Sequence, residues 1–370
     1  MRTFEFHLKQ PAQPLTDAWQ QLPVASSGST LLGISFRPLQ AAAFGLQVHS
    51  TLTDLLAYPF QIIRLGAYWN QIEPEPGTFQ TDELDWQIDT AERTGKQIVL
   101  CVGPLKTFGY PEFFVPAHHL QLPFPEHTLI KPSVYPALLE ASIAFITRLV
   151  ERYKVRSSIV AWQLEHDAVD PLGVEHSWRL AEAFVEQEAQ ALRKADPTRP
   201  LMLNGYLPTS VLVRLSQWWQ TRPQGDSLAV AQRLADWIGI DYYPRNALVA
   251  IGSKTLYLDG SHSPWNQRRR RQIFAWAAAH GQKVLISEGQ AEPWETITTP
   301  PNPKNQGVYS CLPEQLIANY NTCLGWSNQQ MPLYAYLFWG AEYWMLRKQA
   351  GDSSYLQAFE RILVAADGRQ

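Results

Sequence analysis

A single-domain α/β fold, the (β/α)8 or TIM barrel, is predicted by three features of this 370-residue chain. Eight short apolar runs alternate with helical stretches. The runs lie too far apart in sequence to be hairpin partners, so helices must connect them. They are apolar at successive positions rather than alternate ones, which means burial on both faces, the condition of parallel strands covered by helices. Eight such units suit a closed barrel, whose usual length of about 250 residues can pass 400 with insertions. An open doubly wound sheet is the rival, but no GxGxxG follows the first strand and no GxxxxGK[ST] occurs.

Residues 1–30, an alternating start followed by Pro-, Gln- and Ser-rich sequence, read as an N-terminal extension across the base of the fold, ahead of a barrel domain at 31–370. The first strand is Leu31–Phe36, closed by Arg37-Pro38, with helix over 40–57. Gln61–Gly66 and Gln97–Gly103 are the second and third strands. The helix between them carries acids early and a Gly at its end, which are start and stop signals. A long Pro- and aromatic-rich loop covers 104–132, and a helix spans Val134–Tyr153. The fourth strand is 158–164, followed by a helix over 177–194. Pro200–Gly205 is the fifth strand, and helical pattern recurs in 211–220 and 227–235. Trp237–Pro244 contains the sixth. Ser263-Pro264 opens a helix that runs to about His280, because Pro suits the first helical position. The seventh strand is Val284–Ser287, followed by a long loop over 296–312. Helix at 313–327, an eighth strand at Leu333–Phe338 and helix at 353–366 complete the series.

With 45% hydrophobic and 18% charged residues the chain can bury a large core and is not of the disordered class. A net charge of −3 gives no reason to expect nucleic acid or an anionic membrane as partner. Cys101, Cys311 and Cys323 have neither disulfide-framework nor zinc-site spacing, which fits a reducing compartment. No leader-like apolar segment opens the sequence, and no run reaches the roughly 18 apolar residues of a membrane span. The expected location is the cytoplasm. Arg268–Arg271 falls on an outer helix and reads as a solvated face. His118-His119 lies in the long third loop and reads as surface.

In a barrel the reactive groups gather at the C-terminal ends of the strands. Those ends hold Arg37, Trp69, Lys106, Glu165-His166-Asp167, Asn204, Tyr242-Tyr243, Glu288 and Trp339. Two acids close separate strands, and a carboxylate at the end of a buried strand is costly unless it is paired or used. Two facing carboxylates amid aromatic and hydrogen-bonding groups suit glycosidic bond cleavage. The plain alternative for Glu288 is a structural ion pair with Arg64 or Arg37. No nucleophile elbow of the G-x-S-x-G kind is present.

Three stretches carry a family resemblance. Ile63-Arg64-Leu-Gly-Ala-Tyr-Trp69-Asn-Gln-Ile-Glu73-Pro-Glu-Pro-Gly77, Val284-Leu-Ile-Ser-Glu288-Gly-Gln-Ala-Glu-Pro-Trp294 and Tyr336-Leu-Phe-Trp339-Gly-Ala-Glu-Tyr-Trp344 resemble the second, seventh and eighth strand segments of clan A glycoside hydrolases. These are retaining (β/α)8 enzymes that include cellulase, mannanase and microbial β-galactosidase families. The resemblance runs from about Leu31 to Trp344. It implies that Glu288 is the nucleophile, that Arg64 lies beneath it, that Trp339 floors a sugar subsite, and that no metal or organic cofactor is needed. The fourth strand departs from the pattern. Where the family carries W-Q-x-E-N-E, this chain has Trp162-Gln-Leu-Glu165-His166-Asp167. By position Asp167 becomes the acid/base and His166 the contact to the sugar 2-hydroxyl. Glu165 cannot stand in for Asp167, being two residues, about 6.6 Å, lower along the strand and inside the barrel.

The resulting expectation is a β-glycosidase acting on a β-linked oligo- or polysaccharide, with Glu288 and Asp167 catalytic. His166, Arg64, Tyr243, Trp339, Asn204 and Trp69 are expected to bind substrate. Adjacent strand residues face opposite ways, so at most one of Tyr242 and Tyr243 should reach the site, and Tyr243 is preferred because it is nearer the loop. The shortened acid leaves two other outcomes open: altered chemistry such as transglycosylation, and a non-catalytic carbohydrate-binding barrel.

Overall fold

The computed structural model describes residues 4–8, 19–109, 113–120, 124–170, 178–208, 215, 218–219, 224–251, 254–260, 263–293, 311–327 and 331–366. Most of the helix expected over 211–220, most of the loop 296–312, and Trp294 lie outside them. The eight anticipated strands are β1 (Leu31–Ser35), β2 (Ile62–Gly66), β3 (Gln97–Cys101), β4 (Ile159–Gln163), β5 (Leu201–Tyr206), β6 (Trp237–Tyr242), β7 (Lys283–Gln290) and β8 (Ala335–Trp339). They form a closed barrel in chain order, each strand parallel to its neighbours.

The alternation of side chains across each strand sorts the core into two layers. Ile62, Val99, Ala161, Met202, Trp237, Leu285, Ala335 and Leu337 pack together as a lower plug inside the barrel. Their neighbours Ile63, Leu65, Ile98, Leu100, Leu203, Ile238, Ile240 and Ile286 belong to the larger cluster between strands and helices. Above the plug, the inward positions become polar.

Outside lie α1 (Pro38–Ala43), α2 (Val48–Leu56), α3 (Trp69–Ile72), α4 (Asp82–Arg93), α5 (Pro136–Tyr153), α6 (Glu182–Ala195), α7 (Ser227–Leu234), α8 (Pro264–His280), α9 (Pro313–Leu324), α10 (Ala341–Gln349) and α11 (Ser354–Ala366). The helix expected over 40–57 is split into two, and Gly45 between them takes a left-handed turn at φ 73°. Ser263 stands at the α8 N-cap with Pro264 next, but its side chain makes no capping bond. The arginine run fans around α8: Arg269 pairs with Asp226 at 2.7 Å and Arg270 lies over the Trp326 ring, so the run is not a uniformly solvated face.

Two local readings are corrected. Residues Arg245–Ile251 and Lys254–Asp259 form an antiparallel hairpin after β6, and Phe4–Leu8 adds to it as a third strand. Phe4–Leu8 therefore pairs with a loop element following a strand's C-terminal end, whereas the later part of the extension packs near the strand N-terminal ends, with Thr30 Oγ1 donating to the Leu333 carbonyl and the Ala25 N–H to Asn321. The hairpin does carry a sequence signal, since Gly252-Ser253 separates two stretches of β-forming residues. The seventh strand is longer than expected and bulged. Ile286 pairs with Ile240 and Glu288 with Asp241, so two residues of β7 advance against one of β6. A bulge bends the strand and re-aims its side chains.

All three cysteines are free and buried. No described helix is long and apolar enough to cross a membrane.

Candidate active site

A hydrogen-bonded belt rings the barrel just above its apolar plug. Arg64 on β2 donates through Nε to Gln163 Oε1 at 2.7 Å. Gln163 on β4 donates to Asn204 Oδ1 on β5 at 2.9 Å. Asn204 Nδ2 then gives one hydrogen to Asp241 Oδ2 on β6 at 2.6 Å and the other to His166 Nδ1 at 2.8 Å. Ser287 on β7 donates to Asp241 Oδ1 at 2.6 Å, and Ser35 on β1 donates to the Ser287 carbonyl at 3.0 Å. Such a buried network is stable only when its members are satisfied, and then it fixes each side chain in one orientation.

Glu288 crowns the belt. Arg64 Nη1 meets its Oε1 at 2.7 Å, and the Tyr243 hydroxyl donates to its Oε2 at 2.5 Å. Burial alone would raise this carboxyl. The facing charges of His166 and Arg64, with the hydrogen bonds from Tyr243 and Arg64, outweigh burial and hold it below the ordinary Glu range. Burial pushes His166 below its usual value, against the pull of Glu288 and Asp167, so the imidazole is neutral near pH 7. Arg64 and Tyr243 then carry the stabilisation of the Glu288 anion. Asp241 goes the other way. Burial first, and then the nearby carboxylates of Glu288 and Asp167, lift it well above the ordinary Asp range. The environments thus separate the two neighbouring acids, with Glu288 ionised before Asp241.

His166 stands between the two strand-end carboxylates. Its Nδ1 is 3.4 Å from Glu288 Oε1 and its Nε2 is 3.8 Å from Asp167 Oδ2. Because Nδ1 accepts from Asn204, the neutral ring carries its proton on Nε2, on the Asp167 side. Asp167 adopts φ 43°, a left-handed conformation that Asp tolerates better than most residues. Its Oδ1 accepts the Tyr206 backbone N–H at 2.8 Å. Lys106 pins the same loop, its Nζ donating to the carbonyls of Asp167 at 2.6 Å and Asp170 at 3.1 Å.

Aromatic groups wall the site. Phe108, Tyr206, Tyr243 and Trp339 cluster with Cys101, whose thiol burial pushes up to about 12 and so keeps unreactive. The Arg64 guanidinium lies 3.9 Å from the Phe108 ring centroid, and that of Arg37 lies 4.2 Å from Trp339. Arg37 is engaged by two acids of its own, reaching Glu292 at 2.6 and 2.9 Å and Glu342 at 2.6 and 2.9 Å through its side chain. Glu288 therefore pairs with Arg64 and not with Arg37.

The fold brings together Glu288, Asp167, His166, Arg64, Asn204, Tyr243 and Trp339, but not Trp69. That ring is fully buried at the start of α3, packed on Phe145 and His119, with its Nε1 donating to Glu73 at 2.7 Å. It leaves the cleft because the chain turns into α3 directly after β2. Arg64 and Asn204 are also fully or nearly fully buried; Asn204 gives both amide hydrogens to protein partners, whereas Arg64 uses Nε and Nη1 and its Nη2 has no hydrogen-bond partner among the described residues. Arg64 orients Glu288, and Asn204 orients His166. Glu165 lies neither in the cleft nor inside the barrel. It faces the helical layer, where it accepts the Leu105 and Lys106 backbone N–H groups and bonds with Glu188 of α6. β4 ends at Gln163, so its alternation does not extend to Glu165.

Sequence reading passed over Asp241, Ser287 and the pair Glu292 and Glu342. Asp241 was detectable, because it shares the period-2 inward face of Trp237, Gly239 and Tyr243. The two Arg37 partners lie in the loop after β7 and in the first turn of α10, and give no such signal.

Residues 55–184 match a glycoside hydrolase 42 family model described as β-galactosidase. No curated protein sequence matches the chain. Among solved structures, xylanase 10B of Thermotoga maritima shares 14% identity over 92% of this chain and 97% of that one, with a TM-score of 0.54. A GH5_18 variant from Streptomyces cattleya, in complex with Manb1-4GlcNAc, shares 14% identity over 84% of this chain and 70% of that one, with a TM-score of 0.54. The β-galactosidase of the psychrophilic Marinomonas ef1 shares 14% identity over 92% of this chain and 60% of that one, with a TM-score of 0.51. At this identity the likeness is one of fold.

Proposed function

We propose that this clan A (β/α)8 glycoside hydrolase is a retaining β-glycosidase, with Glu288 as nucleophile and Asp167 as acid/base. In the first step a Glu288 oxygen attacks the anomeric carbon while Asp167 gives its proton to the departing glycosidic oxygen. In the second, Asp167 takes a proton from water, and the hydroxide formed displaces Glu288 from the sugar. Arg64 and Tyr243 keep the nucleophile ionised. The Nε2–H of His166, on the Asp167 side of the ring, is available to a sugar hydroxyl, and Trp339 offers a ring to the sugar face. The substrate class is a β-linked oligo- or polysaccharide.

The observation that carries this reading is the Glu288 carboxylate, buried yet held below the ordinary Glu range by Arg64 and Tyr243 at the end of β7. A buried anion so equipped suits an attacking group. A second reading, a carbohydrate-binding barrel without turnover, draws on one observation: Asp167 Oδ1 is already tied to the Tyr206 backbone.

Incubation with 2-deoxy-2-fluoro glycosides, followed by peptide mass mapping, tests the assignment. A sugar mass on the peptide containing Glu288 is expected. No adduct with gluco, galacto and manno reagents would overturn it. Calorimetric binding of oligosaccharides without sugar release would favour the second reading.

A further inference from the structure

We infer that Glu73, His118 and His119 form a divalent transition-metal site, fitted to zinc, which clips the turn after β2 to the long loop after β3. The three residues come from two separate βα loops on the C-terminal side of the barrel. Glu73 follows α3, and the two histidines occupy the short 3-10 turn Ala117–His119.

Geometry carries the inference. Glu73 Oε1 is 3.3 Å from His118 Nε2, and Glu73 Oε2 is 3.3 Å from His119 Nε2. The ligand atoms all lie within 4.8 Å of one another. A tetrahedral zinc with bonds of about 2.1 Å separates its ligands by roughly 3.4 Å, close to these spacings. Two imidazoles and one carboxylate leave the fourth position to water, and the set suits zinc and its neighbours in the first row rather than calcium or magnesium.

The surroundings orient each ligand. Trp69 Nε1 donates to Glu73 Oε2 at 2.7 Å, and the Gly77 N–H donates to Oε1 at 3.3 Å. The His119 ring packs on Trp69 with centroids 4.6 Å apart, and His118 packs on His119 at 4.4 Å. Partners of this kind fix ring orientation and carboxylate direction, the usual task of groups behind a metal ligand. His119 Nε2 is shielded from solvent yet makes no aligned hydrogen bond, as expected of a nitrogen whose lone pair awaits a cation. The two loops are already in register, since the Asn70 N–H donates to the Phe114 carbonyl at 2.8 Å. A metal here therefore closes a preformed clip.

A second trio, His166, Asp167 and Asp241, meets the same distance condition inside the cleft, so the test must separate the two. Full-length protein, stripped with chelator, is titrated with zinc by calorimetry and with cobalt by visible absorption. The expected result is one zinc per chain and a four-coordinate cobalt spectrum. Both should weaken by about tenfold or more in His118→Ala/His119→Ala and stay unchanged in His166→Ala. Melting in chelator checks that the double variant folds, and His118→Gln alone serves if it does not. Zinc binding that persists in the His118 variants, that disappears in His166→Ala, or that is absent from the parent overturns the site.

Discussion

Tyr243→Phe is the sharpest test of how this site holds its charge. The substitution removes one hydroxyl and leaves the ring in the cluster of Phe108, Tyr206 and Trp339. The lost bond is the 2.5 Å donation to Glu288 Oε2. A hydrogen bond to a charged buried group is worth about 1.5–3 kcal/mol. At 1.36 kcal/mol per pKa unit, the folded-state Glu288 carboxyl should rise by about 1–2 units. The sign follows from the direction of the present shift. Glu288 lies below its ordinary value, so the parent keeps the anion down to lower pH than an unperturbed Glu would. The variant should lose it earlier as pH falls. With a responsive aryl β-glycoside, the acid limb of kcat/KM against pH should therefore move up by about 1–2 units, while the basic limb stays in place. Thermal melts at pH 7, run in parallel, confirm that the rates refer to folded protein. The same linkage makes the Glu288 contribution to stability present above the unfolded Glu value and lost as pH falls through the folded one. An acid limb that does not move, with a folded variant, would refute the claim that Tyr243 sets the Glu288 charge.

Three further outcomes are expected. Asp167→Asn should slow substrates with poor leaving groups far more than activated aryl glycosides, because only the former need a proton donated to the departing oxygen; equal rates for variant and parent on both would remove Asp167 from the chemistry. Burial lifts Glu188 well above the ordinary Glu range and likewise pushes the neighbouring Glu165 up to about 7. Its stabilising contribution is fully present below about pH 4.3 and lost as pH rises through about 7, a change on the order of 3 kcal/mol; urea titrations at several pH values should show this slope flattened in Glu165→Gln, and identical slopes would count against it. Gly289 faces the Tyr336 ring so closely that a Cβ would overlap it. Gly289→Ala should thus cost about 1–3 kcal/mol in melting experiments and, by displacing Glu288 on the order of 1 Å, about 10²-fold in rate; an alanine variant with parental activity would contradict the tight fit.

Much of the site could be read from strand ends because a barrel delivers them all to one face. Glu288, Arg64, Asn204, Tyr243 and Trp339 each terminate or nearly terminate an apolar run; period-2 alternation allowed only one of Tyr242 and Tyr243 to face the site, and nearness to the loop selected Tyr243. Glu165 shows where that reading stops. It is counted along a strand that ends two residues earlier, and beyond the ladder the alternation no longer dictates direction. Trp69 fails for a related reason, since the turn into α3 carries its ring away from the cleft.

The sequence by itself determined the barrel, its strand order and the acids that cap its strands. These are consequences of local periodicity and of residue type at run ends, both written in neighbouring positions. Only the tertiary structure decided which acid meets which cation. By residue type alone either Arg37 or Arg64 could pair with Glu288, and only the family resemblance pointed to Arg64; in the structure Glu292 and Glu342 occupy Arg37 and leave Arg64 to Glu288. The same holds for the belt through Gln163, Asn204 and Asp241, and for the meeting of Glu73 with His118 and His119. Charge pairing acts through distances of a few ångströms between residues far apart in the chain, and those distances exist only after the barrel has closed.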